Sequence, residues 1–149
     1  MKKLLLVIAL LLAGCSTEIT SSQLLPISAE MKISNEVIKL EVAKTGIEIE
    51  TGLMYRTSLP KNRGMVFNFE PAQQELRFWM KNCKIPLDMI FLRGGIVKSI
   101  AAKAPPCKND PCPSYGPNMA IDQVIELNGG EAARLNVKIG DRIKISEIK

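Results

Sequence analysis

Cys107 and Cys112 have four residues between them in a loop crowded with Pro105, Pro106, Pro111, Pro113 and Pro117. Redox catalysis favours Cys-x-x-Cys at a helix start, where the dipole lowers one thiol pKa. A wider pair in a proline-rich loop instead reads as a structural disulfide, clipping a segment with little hydrogen-bonded structure of its own. Cys83 is then the odd thiol, either a small buried apolar residue or the partner of Cys107 or Cys112, which would leave another thiol free. The chain has no histidine, which removes Ser/His and Cys/His catalysis and most zinc and di-iron sites. It also has no calcium-loop pattern and no glycine-rich phosphate cradle after a strand. No catalytic, metal or cofactor residue is assigned, and the residue types lean away from an enzyme. Hydrolase or oxidoreductase chemistry would have to work through carboxylates or through Cys83 alone.

The residues best suited to binding lie around Phe78–Asp88. This stretch holds the sole tryptophan, Trp79, followed by Lys81, Asn82 and Pro86-Leu87-Asp88. Trp79 as the wall of a pocket, Asn82 and Asp88 as orienting polar groups and Arg56 as a carboxylate clamp would hold a small molecule or a sugar. The competing reading puts Trp79 in the core, uses Asn82 and Asp88 to fix the turn at Pro86, and pairs Arg56 with Asp88. Met54, Met65, Met80, Met89 and Met119 with Cys83 form a soft-ligand set for Cu(I). Scattered through apolar runs, they read as core filler.

The fourth cysteine, Cys15, belongs to the address of the chain. Lys2 and Lys3 precede an apolar run, Leu4–Leu12, which is the layout of a secretory signal. The run is shorter than the ~20 residues that span a bilayer. Leu12-Ala13-Gly14-Cys15 resembles a bacterial lipobox, in which the cysteine sulfur takes a diacylglycerol and the chain is cut just before it. The expectation is an exported protein, lipid-anchored to the cell envelope through Cys15, with residues 1–15 as signal peptide. Those residues hold two lysines and no acid, so the remainder carries 18 basic and 15 acidic residues. With no basic cluster interleaved with aromatics, nucleic acid is not an expected partner.

These residues need a scaffold. Residues 16–35, rich in Ser and Thr, read as a flexible tether, with a first strand hidden in Leu24–Ile33 as the alternative. Residues 36–149 are enough for one core. Glu36–Ala43, Met65–Phe69, Leu76–Met80 and Gln123–Leu127 read as strands, and Arg142–Ile145 as a closing strand. Leu87–Leu92 and Ile96–Ala101 flank Arg93-Gly94-Gly95, a hairpin signal. Gly130–Leu135 fits a helical turn or two. Residues 47–56 match strand alternation and a helix face equally well. The fold expected is α+β and β-dominated, a small barrel or two packed antiparallel sheets with one or two short helices.

Three blocks resemble the DUF192 family, a domain of unknown function. They are Gly52-Leu53-Met54-Tyr55-Arg56 with Leu59-Pro60 and Gly64-Met65-Val66-Phe67; Phe78-Trp79-Met80-Lys81-Asn82 with Ile85 to Phe91; and Val124 to Gly130, leading to Gly140-Asp141. The resemblance implies a compact β-rich fold over residues 36–149, a helix running into Arg56, and no established activity. Similar proteins often carry threonine where this chain has Cys83, so thiol chemistry there would belong to this branch alone. The functional expectation is a binding or accessory module of the cell envelope. A structural or interaction domain of an envelope assembly, and a carboxylate-dependent enzyme on envelope carbohydrate, are the alternatives.

Overall fold

Strands buried on both faces read as nearly unbroken apolar runs, because neither set of alternating side chains meets water. Met65-Val66-Phe67, Met89-Ile90-Phe91-Leu92 and Val124-Ile125 are such runs, and each is fully buried. In the computed structural model, which describes residues 20–148, they form the centre of one mixed seven-stranded sheet. The elements are β1 (Ile27–Ile33), β2 (Glu36–Ala43), α1 (Gly46–Thr51), β3 (Arg63–Gln73), β4 (Phe78–Trp79), β5 (Leu87–Arg93), β6 (Ile96–Ala104), β7 (Ser114–Tyr115), β8 (Ile121–Asn128), α2 (Glu131–Arg134) and β9 (Ile145–Glu147). The large sheet runs β6-β5-β8-β3-β2-β1-β9, and β4 pairs with β7 in a separate two-stranded ribbon.

The period of two divides the core. Val66, Ile90, Leu92, Ile125 and Leu127 face one layer, which α2 covers. Met65, Phe67, Met89, Phe91 and Val124 face the other, covered by the turn after α1 and by β4. The pairing of β2 with β3 is parallel. A parallel pair cannot be closed by a tight turn, so the chain needs a crossover, and α1 lies in it. Thr45 starts that helix with a capping box: its hydroxyl accepts from Glu48 N at 3.3 Å, and the Glu48 carboxylate accepts from Thr45 N at 2.9 Å.

The β-dominated α+β class, the hairpin at Gly94-Gly95 and both helical segments agree with the sequence reading; several particulars differ. The sheet is mixed, and it is not closed into a barrel. The segment before β9 does approach β6, with Ile143 N donating to Gly95 O at 2.8 Å and Val97 N to Asp141 O at 2.9 Å. This joins the two ends of the sheet at one corner only. The closing strand falls at Ile145–Glu147 rather than Arg142–Ile145.

The stretch expected as a tether contains β1, whose Ala29 and Met31 are buried against β2 and β9. The folded unit therefore begins before residue 36. Helix α1 stops at Thr51 and does not run into Arg56, because Gly52 takes a positive φ of 46°. The signal segment 1–15 with its lipobox, and residues 16–19, lie outside the described residues. No helix among the described residues is long and apolar enough to cross a membrane.

Candidate ligand pocket

Four side chains were expected to share a pocket: Arg56, Trp79, Asn82 and Asp88. The structure disperses them. Asp88, on β5, points to the face that α2 covers and is wholly buried. Its carboxylate accepts from Lys103 N at 2.7 Å, Gly130 N at 2.9 Å and Ala132 N at 2.7 Å. Gly130 begins α2 and has no side chain with which to cap it, so a strand residue takes the capping role. A carboxylate holding three backbone donors is a structural anchor and does not serve as a catalytic acid.

Arg56 does not pair with Asp88. It grips Glu41 in a bidentate fork, with Nη1 and Nη2 each 2.6 Å from a carboxylate oxygen, and both side chains are buried. Its Nε and Nη2 also donate to Gln23 O at 3.1 and 2.7 Å. Glu41 accepts from Leu25 N as well, at 2.8 Å. The pair thus fastens residues 23–25 to the sheet. Asn82 sits in a left-handed turn (φ 59°), and its carbonyl accepts from Tyr55 N at 2.9 Å.

Arg56 lines a shallow depression with Glu41 and Arg63, whereas Trp79 stands at a separate pocket and is not core: the residue is 47% exposed. Beside it lies a pocket of about 170 Å³, lined by α1 and its following turn, by Phe67 and Phe69 of β3, by Phe78 and Trp79 of β4, and by Cys83 and Glu126. All three sequence blocks contribute to its wall. The aromatic wall is held in place by edge-to-face contacts, with the Phe78 ring 5.1 Å from Phe67 and 6.4 Å from Phe69.

The ribbon behind that wall is braced. Cys107 and Cys112 form a disulfide, and Cys107 N donates to Met80 O at 3.1 Å. Arg77 donates to the carbonyls of Gly116 (2.6 Å) and Pro117 (2.9 Å) and to the side-chain oxygen of Asn118. Among the described residues one cluster, Cys107, Asp110 and Cys112, gathers possible metal ligands, and its two sulfurs are spent on each other.

Glu126 is the residue that sequence reasoning missed. It sits on β8 between Met65 of β3 and Met89 of β5, is 4% exposed, and lines the pocket. No hydrogen bond or ion pair to its carboxyl occurs among the described residues, and its oxygens open onto the pocket rather than being sealed: the one sealed side-chain oxygen without a partner there is Asp122 Oδ1. Burial pushes its pKa up to about 8, and the charge of Arg56 opposes the rise only in part. The carboxyl is therefore mainly protonated near neutrality. The neighbouring Cys83 thiol is pushed up to about 12, chiefly by burial and further by Glu126, which leaves it inert as a nucleophile.

The turn after α1 passes over this acid at close range. A Cβ at residue 52 would meet Phe67 Cζ at 3.4 Å and Glu126 Oε2 at 3.8 Å, at a φ that side chains rarely adopt. The available signal for Glu126 was a lone acid inside the apolar run Val124-Ile125-Glu126-Leu127.

A larger, shallower depression of about 1160 Å³ runs past Lys44, Glu70, Arg93, Asp122 and Glu147. Its charges are mixed, and its best-buried acid, Asp122, fixes the β5–β6 turn by accepting from Gly94 N at 2.8 Å. The other oxygen of Asp122, Oδ1, is buried with no hydrogen-bond partner among the described residues, in a depression that is open and of mixed charge.

A family model described as DUF192, uncharacterized ACR, matches residues 29–145. A solved protein of unknown function from Novosphingobium aromaticivorans is 36% identical over 78% of this chain and 83% of its own, with a TM-score of 0.66. A candidate transcription regulator from Sinorhizobium meliloti is 30% identical over 78% of this chain and 90% of its own, with a TM-score of 0.67. No curated protein matches the chain.

Proposed function

The chain belongs to the DUF192 family, and from that membership, which brings a fold and no activity, we propose a small-molecule-binding module carried at the cell envelope by a lipid on Cys15. One observation carries the binding half: the Glu126 carboxyl, on a buried strand and with no hydrogen bond among the described residues, opens onto an aromatic-walled pocket. An apolar concavity with a polar group of raised pKa in its wall is the usual form of a small-molecule site. The volume is below the ~300–1,000 Å³ of drug-sized sites, so the ligand is small. The anchoring half rests on Leu12-Ala13-Gly14-Cys15 behind a short apolar run; two acyl chains hold a protein at a membrane at about 0.8 kcal/mol per buried methylene.

Gentle native mass spectrometry of the protein drawn from its own membrane tests both halves. The expected result is a diacylated Cys15 together with a retained small molecule that Phe69→Ala or Trp79→Ala releases. A bare polypeptide whose tryptophan emission ignores every small ligand would remove the binding half and favour a domain that serves an assembly. A Cys15→Ser chain that still partitions with the membrane would remove the anchoring half.

A further inference from the structure

We propose that the pocket receives a primary ammonium group on a short apolar chain, with the Glu126 carboxylate as its counter-ion. This rests on the binding reading above and names its ligand class. Phe67, Phe69, Phe78 and Trp79 supply the wall, and ring faces carry the negative part of the aromatic quadrupole, which attracts cations. The indole already draws one: Lys81 Nζ lies 5.5 Å from the Trp79 ring centroid. At the floor, an ionised carboxyl offers about four lone-pair sites, and no donor among the described residues fills them. A primary ammonium fills up to three by N–H donation and matches the charge. A quaternary ammonium has no N–H to give, and a neutral hydroxyl leaves the charge unmatched.

The other charged groups nearby are already committed. Arg56 acts on Glu126 through its field only, its guanidinium being held by Glu41 and Gln23. Arg77, at the rim, is bound to the carbonyls of Gly116 and Pro117. Lys84 lies over the Tyr55 ring at 5.7 Å. Cys83 contributes a neutral thiol, and Glu50 adds a second carboxylate to the pocket's edge. The strands on either side of Glu126 bring Met65 and Met89, which do not titrate. An anion would meet two acids in an aromatic-lined pocket. About 170 Å³ is the volume of roughly five to six water molecules, which suits an alkylamine of a few carbons.

As the ammonium enters, the carboxyl O–H bond of Glu126 breaks, its proton passes to water as hydronium, and no bond between heavy atoms changes. Binding therefore tightens as pH rises. The test uses the full chain with n-butylammonium, 1-butanol and butyrate as probes, read by calorimetry and by emission of the sole tryptophan. Butylammonium itself stays charged, since alkylammonium groups such as that of Lys titrate near ~10.4. The expected result is butylammonium binding that tightens about tenfold per unit from pH 6 to about 8 and then levels, by proton linkage. Butyrate should not bind, and 1-butanol should bind at least about tenfold more weakly at pH 8.

Glu126→Gln should abolish the pH slope; if that variant does not fold, the slope in the unaltered chain decides. Equal binding of 1-butanol and butylammonium with no slope would overturn the ammonium assignment while leaving a ligand pocket in place. Neither heat nor emission change from any probe would overturn the pocket reading as well.

Discussion

At the scale of single residues, two buried acids on adjacent strands have opposite fates. Asp88 spends its charge on three backbone donors and holds α2 to the sheet. Glu126, on the opposite face, has nothing to hold. The consequence is a stability cost that depends on pH. Its folded pKa is raised from 4.5 to about 8, so between those values the folded chain keeps a proton that the unfolded chain has released. Stability should fall as pH rises through that window, by at most about 1.4 kcal/mol per unit, and level off above about 8. Glu126→Gln, which cannot ionise, should lose this slope and melt above the parent chain at pH 8, the gap closing toward pH 5. Thermal unfolding at pH 5, 6, 7 and 8 checks it; parallel curves for the two proteins would contradict the raised pKa. Neither fate is legible in sequence alone. A lone acid in a strand usually faces water, and only the strands on either side, brought from residues 65 and 89, bury it.

At the scale of elements, much could be read locally. Glu36–Ala43 and the Gly94-Gly95 hairpin follow from alternation and turn chemistry, because both interactions are short-range. The segment after Ala43 matches two periods, and what decides it is Thr45-x-x-Glu48, a capping-box signal carried by polar residues rather than by the apolar pattern. The two-residue strands β4 and β7 are too short to hold by pairing alone, so the Cys107–Cys112 link and the Arg77 contacts fix the wall that presents Trp79. Replacing both cysteines by serine should lower stability by about 2 kcal/mol for a six-residue loop. It should also lower the fluorescence anisotropy of Trp79 as the ribbon loosens. A urea midpoint and anisotropy equal to the parent's would show that the ribbon stands without its clip.

At the scale of the molecule, the sheet serves two cores at once, and losing a strand near its edge breaks more than a local contact. β1 lies between β2 and β9, with Met31 wholly buried. A chain starting at residue 36 should therefore be unstable, with little near-ultraviolet circular dichroism, whereas one starting at residue 20 should fold cooperatively in urea. Equal midpoints would mean that β1 is dispensable. The Ser/Thr-rich composition concealed β1, since its pairing with β9 spans nearly the whole chain. The N-terminal docking also sets a length. Gln23 donates to the carbonyls of Glu48 and Gly52 at 2.8 and 3.0 Å and is held in turn by Arg56. With the proposed lipid on Cys15, residues 16–22 would separate it from that knot, and at ~3.5 Å per residue seven residues span at most about 25 Å. A lipidated molecule would then ride low over the headgroups, tied by a point beside Gly52. It would meet whatever enters the pocket close to the bilayer surface.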